Sequence, residues 1–176
     1  MKSRFKALLA LTALSLVMPT SAQAQFARGG NAPIEAGADD ILNKNGVTIL
    51  SGQVDVRQGG TRILSDTMKI YGGATGLGSS SGGDVSRIEA TGNFYYLTPE
   101  QEVRGNNGVY TRESDTFTVT GDVILLQGEN VVTGDTLIYN LQTEEARVVS
   151  SCKGRKCGSK GRVKILIKNT GPQSST

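Results

Sequence analysis

The chain predicts an all-β, antiparallel architecture, and three observations carry that expectation. Polar and apolar residues alternate with a period of two, as in Thr116-Phe117-Thr118-Val119-Thr120, which turns one face of a strand toward a core. β-Branched residues dominate these runs, and turn signals punctuate them at Asn45-Gly46, Gly59-Gly60, Asn107-Gly108, Gly128-Glu129-Asn130 and Gly134-Asp135. Outside the N-terminus and a turn near Ile41-Leu42, no stretch carries a helical apolar stripe. Short strands at this spacing imply about 14 to 16 of them, each about five to seven residues long.

The N-terminal 24 residues stand apart from the fold. Lys2, Arg4 and Lys6 precede the apolar run Ala7 to Met18, and Ala22-Gln23-Ala24 closes it with small residues. That run is about 12 residues long, short of the roughly 20 that cross a bilayer, so the pattern is that of a signal peptide cleaved after Ala24. Export to the periplasm follows from it.

From residue 25 to about 150 the organising feature is a repeat. Gly52-Gln53-Val54-Asp55-Val56 leads 14 residues on to Asp66, Gly92-Asn93-Phe94-Tyr95-Tyr96 leads 14 on to Asn106, and Gly121-Asp122-Val123-Ile124-Leu125 leads 14 on to Asp135. The first two glycines lie 40 apart and the second pair 29 apart, and the excess nearly matches the Gly/Ser tract Gly72 to Gly83. That tract is therefore a loop inside one domain rather than a linker between two.

Parity within each unit names the inward side chains. Two and four residues beyond the leading glycines lie Val54 and Val56, Phe94 and Tyr96, and Val123 and Leu125; counting back gives Leu50, Ala90 and Ile88, and Val119 and Phe117. Successive strand residues point to opposite faces, so these share one continuous apolar wall. Such a wall is more often a sealed core than a site for apolar ligands.

Residues 151 to 176 form a basic end. The 16 acidic residues of the chain all fall before residue 147, while residues 147 to 176 carry 8 basic ones. With the leader's three removed, the remaining basic residues number 16 and the mature chain is neutral. Cys152 and Cys157 bracket Lys153-Gly154-Arg155-Lys156, a spacing suited to a small disulfide-closed loop in an oxidising compartment. A fourth, partial unit starts at Gly161, and its run Val163-Lys164-Ile165-Leu166-Ile167 is apolar enough to be a last strand.

The composition argues against catalysis. The chain contains no histidine and two cysteines, which removes imidazole-dependent mechanisms and leaves little for a metal. Asp39 and Asp40 are adjacent and on a strand would face opposite ways. Gly154 to Gly158 followed by Ser159-Lys160 lacks the lysine a P-loop requires. No enzyme activity, cofactor or metal is expected.

The run Ala32-Pro33-Ile34 with Ala38-Asp39-Asp40, then Val47-x-Ile49-x-x-Gly52-x-Val54-x-Val56-x-Gln58-Gly59, then Val119-Thr120-Gly121-Asp122-Val123-Ile124-Leu125-x-Gln127 and Gly134-Asp135-x-Leu137-x-Tyr139 resembles the OstA-like domain family, over about residues 31 to 149. The resemblance implies a β-jelly roll, open along one side and at both ends, that carries lipopolysaccharide across the periplasm. It implies end-to-end joining of copies through the first strand near Ile34 and the last near Val163 to Ile167, pairing with LptC at the inner membrane, and pairing with LptD at the outer. No nucleic acid is implied. The lipid A groove would be lined by Ile34, Ile49, Val54, Val56, Phe94, Tyr95, Tyr96, Phe117, Val119, Val123, Leu125, Leu137 and Tyr139, with Arg57, Arg62 and Lys69 as candidates for lipid phosphates. The competing reading is a structural β-repeat protein with a sealed core and no ligand. A small outer-membrane barrel is disfavoured, because its nine aromatic residues cannot supply two interfacial girdles.

Overall fold

A computed structural model describes residues 34–72, 85–152, 154 and 161–168. The leader, residues 73–84 of the Gly/Ser tract and Cys157 lie outside the described residues. The described residues form ten strands: β1 (Ile34–Gly37), β2 (Asp40–Lys44), β3 (Val47–Gln58), β4 (Thr61–Gly72), β5 (Val85–Leu97), β6 (Gln101–Thr111), β7 (Thr116–Gln127), β8 (Asn130–Asn140), β9 (Ala146–Val149) and β10 (Lys164–Leu166). All pairs are antiparallel, in the order β1-β3-β4-β5-β6-β7-β8-β10, with β2 also on β3 and β9 also on β8. Among the described residues the sheet is not closed: β1 and β2 form one margin, β9 and β10 the other.

The strands are fewer and longer than the sequence predicts. The short strands are there, but fused in pairs. Every ladder between β3 and β8 shifts register midway, at Ser51/Val54, Leu64/Thr67, Thr91/Phe94, Arg104/Asn107 and Thr120/Val123. These bulges fall in a line, and along it the sheet creases into two half-sheets that face each other. β1 with β2, and β9 with β10, are the same strand broken outright at the crease, since each pair lies along one neighbour. Bulges bend strands while most ladder hydrogen bonds survive, which is how one sheet supplies both walls of a core.

The repeat's ruler is the geometry of that crease. Gly92 has φ +79° and Asn93 φ 43°, and the pairs Gly52-Gln53 and Gly121-Asp122 repeat the conformation. Glycine is demanded twice over at these places. Left-handed backbone disfavours a Cβ, and a Cβ on Gly92 would lie 2.2 Å from Asp66 Oδ2. Asp39 covers Gly52 and Asn106 covers Gly121 in the same way. The 14-residue interval is thus the path from crease to hairpin and back: Gly52 out, the turn at Gly59-Gly60, and Asp66 on return. Asn93 Nδ2 donates to both Asp66 oxygens, at 3.1 and 3.0 Å, which ties the crease together.

Two of the expected turns are not turns. Asn107-Gly108 lies inside β6 and Gly134-Asp135 inside β8. Gly108 is needed for packing: a Cβ there would sit 2.5 Å from Phe94 Cε2, so the ring lies against bare backbone across the crease. The helical turn considered near Ile41-Leu42 is part of β2.

Candidate functional site

Between the half-sheets, inward residues from every long strand form one apolar interior running across the strands. One wall carries Leu50, Met68, Ile88, Ala90, Tyr110, Phe117, Val119 and Leu137; the other carries Val54, Val56, Ile63, Phe94, Tyr96, Val103, Val123 and Leu125. All are buried. Of the sequence-predicted lining residues, Val54, Val56, Phe94, Tyr96, Phe117, Val119, Val123, Leu125 and Leu137 come together here, and Tyr139 packs half-buried against them. Ile34 shares the inward register through Gln58 but lies at the open margin, 54% exposed.

Two predicted residues do not belong. Ile49 pairs with Leu42 and Lys69 on the outer surface, because its neighbour Leu50 takes the inward position and parity excludes both. Tyr95 likewise faces outward between two buried neighbours, with the Arg104 guanidinium 5.3 Å from its ring centre, a cation–π arrangement. Arg57 and Arg62 also lie on the outer face and both bind Asp55, at 2.7 and 2.8 Å. Arg62 first and Arg57 second hold the Asp55 carboxyl well below the ordinary carboxylate range.

Sequence reading missed Ile63, Met68, Val103 and Tyr110. The signal was present but counted from the wrong landmark. Starting from Asp66, Asn106 and Asp135, three residues back gives Ile63, Val103 and Val132; two forward gives Met68, Gly108 and Leu137. The inward set keeps one parity through the crease on β3, β5 and β7, as from Leu50 to Val54, but shifts by one on β4 and β6, as from Ile63 to Met68, because the register shift skips two residues on the former strands against one on the latter.

Aromatic rings join the walls. Phe117 stands tilted against Phe94, ring centres 5.4 Å apart, and against Tyr96 at 5.3 Å, separations typical of favourable aromatic pairs. On the β8 and β9 side of these rings is a cavity of about 10 Å³ lined by Tyr96, Gln101, Val103, Phe117, Leu125, Leu137, Tyr139 and Ala146, room for about one water. Polar side chains are few within: Gln58, Thr61 and Ser65 are buried at the β3–β4 end, and Ser65 Oγ donates to Thr67 O at 3.2 Å. Tyr110 donates to Asp115 at 3.1 Å, and burial, with the Asp115 charge behind it, pushes the phenol up to about 12.

The margins are apolar and uncovered. Ile165, Leu166 and Ile167 are 64, 66 and 64% exposed, and among the described residues β10 pairs only along β8. Where the chain crosses the crease between β9 and β10, Asp135 accepts from the Ser151 amide and from the Ser150 and Ser151 hydroxyls. Ser151 chiefly lowers the Asp135 pKa. Cys152, next along, carries no free thiol. Among the described residues no group of histidine, cysteine, aspartate or glutamate is placed to hold a metal ion, and no helix is long and apolar enough to cross a membrane.

This geometry has relatives. An uncharacterised protein of Rhizobium meliloti (strain 1021) is 29% identical over 150 residues, covering 82% of this chain and 80% of that one. The crystal structure of LptH from Pseudomonas aeruginosa, described as the LptA-homologous periplasmic component of the conserved lipopolysaccharide transport device, superposes with a TM-score of 0.60 at 20% identity, covering 78% of this chain and 96% of that one. That likeness establishes the fold. The family described as LptA/(LptD N-terminal domain) LPS transport protein matches residues 33–145, most of the chain and the creased sheet from β1 through β8. An open β-jelly roll with that match makes this chain a member of the LptA-like, OstA-domain family of lipopolysaccharide transport proteins.

Proposed function

We propose that this protein is a periplasmic carrier that shields the acyl chains of lipid A in the interior between its half-sheets, leaving sugar and phosphate outside. The observation that carries the reading is the apolar wall running uninterrupted from strand to strand of a sheet that never closes. The physical need is large. Each methylene exposed to water costs about 0.8 kcal/mol, so a chain of about a dozen carbons resists leaving a membrane by roughly 8 to 10 kcal/mol. A carrier has only to replace that apolar contact; no bond is made or broken, and no cofactor is required.

Bridging the two membranes is part of the proposal. The margins at β1 and β10 leave backbone groups that a neighbouring strand can pair with, so copies join head to tail and the terminal copies meet LptC and LptD. Export through a leader cleaved after Ala24, and pairing of Cys152 with Cys157, belong to the same periplasmic setting. The sealed-core reading draws on how tightly the interior is packed. A photo-crosslinking residue at Phe94, with exposed Glu113 as control, separates the two in cells. Lipopolysaccharide adducts at position 94 alone support carriage; equal adducts at both, or none at 94, defeat it.

A further inference from the structure

The inward side chains of both walls are buried, and the cavity beside Phe117, about 10 Å³, has room for about one water, so an acyl chain entering there must move something aside. The packing says what. Phe94 is fixed from below: its ring lies on Gly108, against backbone that cannot yield. Tyr96 sits beside it on the same strand and wall. Phe117 comes from the opposite wall, touches both rings, and has the free space on its other flank, toward Leu137, Tyr139 and Ala146. Of the three rings Phe117 alone comes from the opposite wall to touch both others, and with Tyr96 it borders the void into which it can turn. Its position also divides the interior. Leu50, Met68 and Ile88 lie toward β3, whereas the void lies toward β8 and β9.

We propose that Phe117 is a displaceable gate that sets admission of a saturated acyl chain: the chain enters from the β8–β9 side past Tyr139 and Ala146, and reaches the deeper interior when the Phe117 ring swings off Phe94 and Tyr96. This rests on the carrier reading, and names the residue that controls it. In a gated site the competent state is a minor population, and the apparent association is slowed by that fraction. Removing the ring contacts raises the fraction; enlarging the ring lowers it.

The test follows binding of an undecanoic acid bearing a terminal dansyl group to the mature protein by stopped-flow fluorescence, with displacement by lipid A as the check on site. For the unaltered protein the observed rate should level off as probe concentration rises, at the gate-opening rate. Phe117→Leu, which keeps a branched apolar side chain and is verified as folded by circular dichroism, should raise that plateau roughly tenfold, each lost ring contact being worth a factor of a few. Phe117→Trp should lower it. Saturable, lipid A-displaceable binding whose plateau neither substitution moves would overturn the gate and leave the carrier standing. Absence of displaceable binding in all three proteins would overturn both.

Discussion

Replacing Gly92 with alanine tests whether the crease, rather than simple alternation, is what the repeat encodes. Two penalties are expected. Holding an L-residue in left-handed backbone at φ +79° costs about 1–2 kcal/mol. The added methyl would also sit 2.2 Å from Asp66 Oδ2 and 2.8 Å from its Cγ, so the carboxylate must leave and its two hydrogen bonds from Asn93 are lost. Those bonds are solvent-exposed, so about 1–2 kcal/mol more is a reasonable charge for them. The protein contains its own control. Gly46 has nearly the same conformation, φ +75°, yet nothing lies within 4 Å of a Cβ built there. Gly46→Ala should therefore cost only the backbone share, and Gly92→Ala about 1–2 kcal/mol more. Urea unfolding with unchanged slope measures both. Adding Asp66→Gly to Gly92→Ala should cost less than Asp66→Gly does alone, because the bonds from Asn93 are already lost in Gly92→Ala and the effects of residues in contact are not additive. If the two alanine variants unfold at the same urea concentration, the Asp-over-Gly contact constrains nothing and the account of the 14-residue ruler is wrong.

Other outcomes follow from the same structure. Asp55, Glu89 and Asp135 all have lowered pKa values, so each contributes stability above the ordinary carboxylate range that is lost as pH falls below about 4; high salt should weaken the shares of Asp55 and Glu89, whose chief partners are arginines, and spare that of Asp135, whose partners are neutral. Asp135→Asn should speed amide exchange at Ser151 and in β9, as read by mass spectrometry, with little change in β3 to β5. Ile165→Asp, at a side chain 64% exposed, should change the unfolding midpoint little, by less than about 0.5 kcal/mol, while abolishing concentration-dependent assembly in analytical ultracentrifugation; assembly unaffected by the charge would remove β10 from the joint. Intact-mass analysis of protein recovered from the periplasm should find the two cysteines joined to each other within one chain, and thiol-reactive reagent should add no mass before reduction.

What could be read from the sequence and what could not divides along the crease. Strand character, turn positions at Gly59-Gly60 and Gly128-Glu129, and the inward set Val54, Val56, Phe94, Tyr96, Val119 and Val123 all follow from a period of two, a property of the extended backbone itself. Strand length did not follow, because a Gly-Asn pair in left-handed backbone looks locally like a turn, and only the ladder on both sides shows that β5 continues through it. The glycine in Asn107-Gly108 misled for a related reason. Its purpose is to lie under the Phe94 ring, a contact across the crease that no local pattern announces. Ile49 and Tyr95 show the opposite failure: one is aliphatic and the other aromatic, and both sit in the repeat's strands, but each has a buried neighbour on either side or next to it, and parity outweighs residue type.

A shut interior and a carrier are compatible once the competing terms are compared. Parting the walls at Phe117 gives up two aromatic contacts, each about 0.5–1.5 kcal/mol, together with apolar contact that an entering chain restores. That is a few kcal/mol, the range in which an open state is a minor but real population. Against it stands roughly 8 to 10 kcal/mol for withdrawing one chain of about a dozen carbons from water. The filled state should therefore win by a wide margin, and the closed empty state avoids presenting water with a bare apolar trough, which would promote aggregation. If lipid binds the folded protein and not the unfolded chain, as proposed, saturation must stabilise it, by about 2.7 kcal/mol at a hundredfold excess over Kd. Thermal unfolding with increasing lipid A, kept below its aggregation threshold, should show the midpoint climbing with the logarithm of concentration, and climbing equally for Ile165→Asp, whose margin is spoiled but whose interior is intact. A midpoint indifferent to lipid A would mean that the interior is a core and nothing more.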